Sequence, residues 1–214
     1  MSILNSNVYE LRSVDGVDIF LWNLEESLSD LCGLLVDVSL LESEPYVTFK
    51  SEKRKREWVA VRVLLEQVCQ KPVAICYASS GKPFLNPSDS YFSVSHTKDV
   101  VGIALAKMPV GIDLEQIGAR PLQLSSRFLV EDEFNPFSVP YSDLMATFMW
   151  SAKESVYKLF GDSNLGQLTD IHLEIVDSGT QYSEFKAEIP CIGEFATVRC
   201  YRYDTFVLTV ATSA

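Results

Sequence analysis

Val110-Gly111-Ile112-Asp113-Leu114-Glu115 is the stretch on which the reading of this chain turns. It is short, apolar at alternate positions and opened by Pro109, which predicts a strand over Val110 to Leu114. Successive side chains on a strand point to opposite faces. Asp113 and Glu115 therefore share one face, and Ile112 and Leu114 share the other. Two carboxylates two residues apart at a strand end form half of a site for a hard divalent cation. Mg²⁺ takes one or two carboxylates and completes its shell with water and phosphate oxygens. Taken alone, the same alternation is ordinary for a surface strand with a charged outer face.

The second informative stretch is Trp150-Ser151-Ala152-Lys153-Glu154-Ser155-Val156-Tyr157-Lys158, inside a helix predicted over Asp143 to Phe160 and ended by Gly161. Glu154 and Lys158 are four residues apart and so neighbours on one helix face. They read as a third carboxylate with an ammonium beside it to hold phosphate charge. By themselves they read better as an exposed ion pair worth ~0.2–0.5 kcal/mol.

Outward from these segments the chain alternates strands and helices. Val17 to Trp22 reads as an opening strand, and Leu24 to Leu41 as a helix weakened by Gly33. Ser51 to Gln70 is an amphipathic helix with Trp58, Val61, Leu65 and Val68 on its apolar stripe and Ser51 as N-cap. Strands follow at Val73 to Tyr77, Tyr91 to Ser95 and Val100 to Lys107, and a helix and loop at Leu122 to Phe137. Four strand-like runs then fill the tail from Ile171 to Thr212. The order strand, helices, strands occurs twice. It predicts an α+β fold of two similar lobes, residues 1–107 and 108–214.

Composition narrows the classes. A formal net charge of −11 argues against a nucleic-acid duplex as partner, because counterion release needs clustered Lys and Arg. The only dense basic run is Lys53-Arg54-Lys55-Arg56. Five cysteines without a CxxC pair predict neither a zinc ribbon nor a disulfide framework. The first residues show no basic leader followed by an apolar run, and no stretch is apolar enough to span a bilayer. A cytoplasmic protein is the expectation.

Asp113 and Glu154 lie 41 residues apart in the chain. Together the two segments resemble the 4′-phosphopantetheinyl transferases, whose signature is hydrophobic-Gly-hydrophobic-Asp, a gap of about this length, then Trp-Ser-x-Lys-Glu-x-x-x-Lys. Upstream, Gly81-Lys82-Pro83 and Phe92-Ser93-Val94-Ser95-His96 resemble the family's coenzyme A pocket. The resemblance runs from about Ser51 to Lys158. It implies that Lys82, Pro83, Ser95 and His96 meet coenzyme A, with Ser95 and His96 as donors to its phosphates. It places Arg62, on the basic helix, at the 3′-phosphate, and the residues alone do not choose among Lys53 to Arg56. The length resembles the larger, surfactin-synthetase-activating type, a monomer whose two lobes form a pseudo-dimer around one site.

What the resemblance implies is transfer of the phosphopantetheine arm of coenzyme A to a serine of an apo carrier protein. Mg²⁺ would be held by Asp113, Glu115 and Glu154. Glu154, Glu133 or a bound water would take the serine proton, and Lys158 would stabilise the departing adenosine 3′,5′-bisphosphate. Phe128 to Phe137, with Phe134 and Phe137 flanking Pro136, is the expected apolar contact for the carrier. Two other readings remain open at this point: a non-catalytic coenzyme A- or carrier-binding protein, and another Mg²⁺-dependent phosphoryl enzyme.

Overall fold

Asp15 and Gly16, both at positive φ (51° and 78°), form the two-residue turn that Asp-Gly favours between antiparallel strands. They join β1 (Val8–Val14), which the sequence reading missed, to β2 (Val17–Asn23). The computed structural model describes residues 8–69, 73–134, 143–161 and 165–214, with the side chains of residues 8–12 and 134 left aside.

After β2 the predicted helix over Leu24 to Leu41 is cut short. α1 covers only Leu28–Leu34, started by a capping box in which Ser27 and Asp30 exchange bonds. Extended backbone at Leu35 ends it. Asp37 then caps a separate 3₁₀ turn over Val38–Glu42, because its side chain competes with the helical bonds. α2 (Glu52–Cys69) forms as predicted, with the Ser51 hydroxyl accepting from the Arg54 amide. β3 (Ala74–Tyr77) pairs with a second missed strand, β4 (Pro83–Asn86), across the Gly81 turn. β5 (Tyr91–Thr97), β6 (Val100–Ala106) and β7 (Val110–Gln116) match the expectation. The predicted helix around Leu122 to Phe137 is instead two short pieces, α3 (Ala119–Gln123) and α4 (Glu131–Phe134), separated by a 3₁₀ turn. α5 (Asp143–Leu159) is the second long helix. β8 (His172–Ser178), β9 (Tyr182–Ile189), β10 (Glu194–Arg202) and β11 (Phe206–Ser213) close the chain.

The fold is α+β. One antiparallel sheet has the order β1-β2-β6-β5, and the other the order β7-β11-β10-β9-β8. Each large sheet draws its strands from one half of the chain. α1 and α2 cover the first sheet around Trp22, Leu31, Leu64 and Ile103, and α5 covers the second around Phe148, Val156, Phe185 and Val198. A third cluster, with Ile19, Leu21, Ile112, Leu114 and Leu208, lies between the sheets. Small residues let them approach. A Cβ on Gly102 would stand 2.8 Å from the Leu21 side chain and 3.0 Å from that of Leu114.

The edges of the two sheets meet at β5 and β7, and hydroxyl groups join them. The Ile112 amide donates to Ser93 Oγ at 3.0 Å and the Leu114 amide to Ser95 Oγ at 3.1 Å. Two serines two residues apart thus satisfy two edge amides that would otherwise be buried without a partner.

Candidate active site

α5 lies directly on β7 because Gly111 has no side chain. A Cβ there would collide with the Ser155 carbonyl oxygen and stand 2.6 Å from the Leu159 amide nitrogen. Gly111, Asp113 and Glu115 alternate onto one face of β7. Ser151, Glu154 and Lys158 recur at helical spacing along α5. Close docking of helix on strand brings the two sets together.

Asp113 is the centre of the arrangement and is 6% exposed. Its Oδ1 accepts from Lys158 Nζ at 2.8 Å and from Ser95 Oγ at 3.0 Å, and its Oδ2 accepts from Ser151 Oγ at 2.8 Å. Ser151 is itself fixed from β11, where Thr209 Oγ1 donates to the Ser151 carbonyl at 2.8 Å. Burial pushes the Glu154 carboxyl above its ordinary range; Asp113 and Glu115 push it further, against the pull of Lys158. Glu115 is raised by burial and then by Asp113, with Trp150 and Arg120 acting the other way. The three predicted carboxylates are therefore close enough to repel one another.

Among the described residues, no three carboxylate, thiol or imidazole groups stand at the spacing of a metal shell. Asp113 is instead turned to its serine and lysine donors. The donor chemistry nevertheless fits Mg²⁺: the ligands are all oxygen, and the three carboxylates outnumber the two cations acting on them, Lys158 and Arg120. That leaves a surplus of negative charge of the kind a divalent cation neutralises.

Beside these groups runs a cleft of about 510 Å³ lined by Phe49, Arg54, Glu57, Trp58, Arg62 and His96, among others. It shares Gly81, Pro83 and Val94 with a smaller one of about 210 Å³, which Lys82, Tyr157 and Lys158 also line. A path thus leads from the start of α2 to the end of α5. Lys82 donates to the Leu159 carbonyl at 2.8 Å, tying the Gly81 turn to the C-terminus of α5. His96 Nδ1 lies 3.4 Å from Glu57 Oε1. Burial lowers the His96 pKa, Glu57 raises it, and Lys158, Arg54 and Lys53 lower it again. Arg62 is 8% exposed; its guanidinium lies 3.2 Å above the Trp58 ring and donates to the Trp58 carbonyl at 3.1 Å.

The structure separates the four basic residues that the sequence could not. Arg54 lines the cleft, and Lys53 lies 3.6 Å from Glu57. Arg56 is turned away to hold the Leu24 and Glu26 carbonyls, and Lys55 covers the Tyr46 ring. Glu57 and Ser151 escaped the sequence reading of the site. Ser151 carried a signal in its helical spacing to Glu154; Thr209, on a distant strand, carried none.

Two expectations are corrected. Glu133 does not join the acidic group. It is 4% exposed, its Oε2 accepts from Lys153 Nζ and the Val130 amide, and its Oε1 accepts from the Leu173 amide. It is a structural anion paired with a fully buried lysine. Phe128 is no docking surface: it is fully buried, edge-on to Trp150 with ring centroids 5.0 Å apart. The side chain of Phe134, and Pro136 and Phe137, lie outside the described residues.

The chain is 26% identical over 128 residues to a 4′-phosphopantetheinyl transferase of Bacillus subtilis, covering 58% of this chain and 55% of that protein. It is 32% identical over 118 residues to the 4′-phosphopantetheinyl transferase psf-1 of Bacillus pumilus, covering 53% and 51%. It is 33% identical over 84 residues to the 4′-phosphopantetheinyl transferase gsp of Aneurinibacillus migulanus, covering 38% and 35%. The matches thus span about half the length of these relatives or less. Residues 109–211, just under half of the chain and containing β7, α5 and the acidic group between them, match the family model described as the 4′-phosphopantetheinyl transferase superfamily.

Proposed function

We propose that this protein transfers the 4′-phosphopantetheine group of coenzyme A to a serine of an apo carrier protein, in an Mg²⁺-dependent reaction that releases adenosine 3′,5′-bisphosphate. One observation carries the reading. Asp113, Glu115 and Glu154 come from a strand and a helix far apart in the chain, and they gather beside Lys158 at the end of a cleft lined with basic groups.

Asp113, Glu115 and Glu154 would hold Mg²⁺, which when bound screens the charge of a pyrophosphate against an incoming nucleophile. Arg54, Arg62 and His96 suit the phosphorylated nucleotide end of coenzyme A, and Trp58 offers it an aromatic wall. Lys82 and Pro83 line the smaller cleft together with Lys158. Glu154, directly or through a bound water, is the group to take the proton of the carrier serine. The Lys158 ammonium stabilises the charge left on the departing bisphosphate.

The wider reading is of a monomer with lobes at 1–107 and 108–214, acting in the cytoplasm. Among the described residues, no helix is long and apolar enough to cross a membrane. Incubation with coenzyme A, Mg²⁺ and a panel of apo carriers, followed by mass measurement, tests the function. A mass gain of one phosphopantetheine on a carrier supports it. Nucleotide cleavage without carrier modification would favour another Mg²⁺-dependent phosphoryl enzyme, and coenzyme A binding without either reaction a non-catalytic binder.

A further inference from the structure

Ser95 was expected to offer its hydroxyl to a coenzyme A phosphate. Its surroundings assign that hydroxyl elsewhere. Ser95 is 6% exposed and lines neither of the two clefts described above. Three groups lie within hydrogen-bond distance of its Oγ: the Leu114 amide at 3.1 Å, Lys158 Nζ at 3.0 Å and Asp113 Oδ1 at 3.0 Å.

Proton counting fixes the direction of these bonds. The Leu114 amide and the Lys158 ammonium can only donate, and they use the two lone pairs of the hydroxyl. Its single proton must then go to Asp113. Ser95 closes a triangle with Asp113 and Lys158, because the ammonium also reaches Asp113 Oδ1 at 2.8 Å. No donor capacity is left for a phosphate.

We propose that Ser95 is a positioning residue: its hydroxyl fixes Asp113 and Lys158 for Mg²⁺ binding, and it does not contact coenzyme A. This rests on the transferase reading above. Neighbouring Ser93 supplies the control. It is equally buried (4% exposed) and accepts the Ile112 amide at 3.0 Å in the same way, but no bond joins it to Asp113. Losing either hydroxyl orphans one edge amide. Losing that of Ser95 also releases the aspartate.

The test uses calorimetry on the full chain. Mg²⁺ is titrated into protein saturated with coenzyme A, with no carrier present, and coenzyme A is titrated separately in EDTA. Ser95→Ala should weaken Mg²⁺ binding by about ten-fold or more, the range for groups that orient metal ligands. Ser95→Cys, near in size but a poor donor, should do the same, and Ser95→Thr should restore most of the affinity. Ser93→Ala should lower thermal stability about as much as Ser95→Ala yet leave Mg²⁺ affinity within about two-fold, since it orphans one amide and frees no ligand. Coenzyme A affinity in EDTA should be unchanged in every Ser95 variant. Unaltered Mg²⁺ affinity in Ser95→Ala and Ser95→Cys would overturn the proposal, as would a loss of coenzyme A affinity in EDTA or a wild type that takes up no Mg²⁺. A wild type that binds Mg²⁺ with the expected variant pattern but modifies no carrier would leave the proposal standing and remove the transferase reading instead.

Discussion

Lys158 Nζ on α5 lies 2.8 Å from Asp113 Oδ1 on β7, so this contact joins the helix that carries Glu154 to the strand that carries Asp113 and Glu115. The Lys158 side chain is 30% exposed and borders the smaller cleft, so the same ammonium faces both the carboxylates and whatever enters. Its removal should act on the leaving group more than on the cation. Lys158→Ala is expected to lower kcat by about 10²-fold or more, the scale for a lost charge-stabilising donor, with a smaller change in the Mg²⁺ concentration needed for half-maximal rate. Steady-state kinetics across an Mg²⁺ series separates the two effects.

Glu154 and Asp113 should behave differently from Lys158. Glu154→Gln and Asp113→Ala are each expected to abolish phosphopantetheine transfer while leaving coenzyme A binding in EDTA close to wild type, since neither residue lines the larger cleft. An active Asp113→Ala protein, by carrier mass measurement, would refute the metal assignment.

The acidic group also predicts how stability depends on pH. The folded-state pKa values of Glu115 and Glu154 are raised, so the native state holds protons more tightly than the unfolded chain. Their contribution is fully present below the ordinary glutamate value of 4.5 and is lost as pH rises through the raised values. In EDTA, Glu154→Gln should therefore flatten the fall in Tm on the alkaline side of that window. Mg²⁺ should raise the Tm of wild type at neutral pH and have little effect on the variant. Thermal melts across pH check both.

His96 titrates in the opposite sense. Burial lowers its pKa, so it is largely neutral at pH 7 in the free protein, and a bound phosphate favours its charged form. Coenzyme A affinity should rise as pH falls from about 8 to 6.5 and should lose that dependence in His96→Gln, measured by calorimetry in EDTA.

Glu133 and Lys153 offer a stability prediction that also excludes a base role. Their ion pair is buried, at 2.7 Å, and breaking one side leaves an uncompensated charge. Glu133→Gln should cost about 3 kcal/mol in denaturant unfolding while Mg²⁺ affinity of the folded fraction stays near that of wild type.

Much of this protein was legible locally. The strand at Val110, the helix from Asp143 and the paired spacing of Asp113 with Glu115 and Glu154 with Lys158 follow from periodicity, because each depends on neighbours within a few residues. Local signals failed where competing short-range bonds decided the outcome. Extended backbone at Leu35 ends the helix predicted through Leu41 and Asp37 caps a separate 3₁₀ turn after it, and β1 and β4 exist because partner strands were available to pair with.

Spacing offered three carboxylates and a lysine as candidates, and the family resemblance added an upstream serine-histidine pair. Only tertiary structure decided their employment. Glycine at 111 lets α5 settle onto β7, which makes Lys158 the partner of Asp113 and gives Ser151 and Ser95 an aspartate to hold. Burial on the other side of α5 commits Glu133 to Lys153. The physical reason is that hydrogen-bond capacity is spent on the nearest partner in space, and proximity across tens of residues is a property of packing that no local pattern encodes.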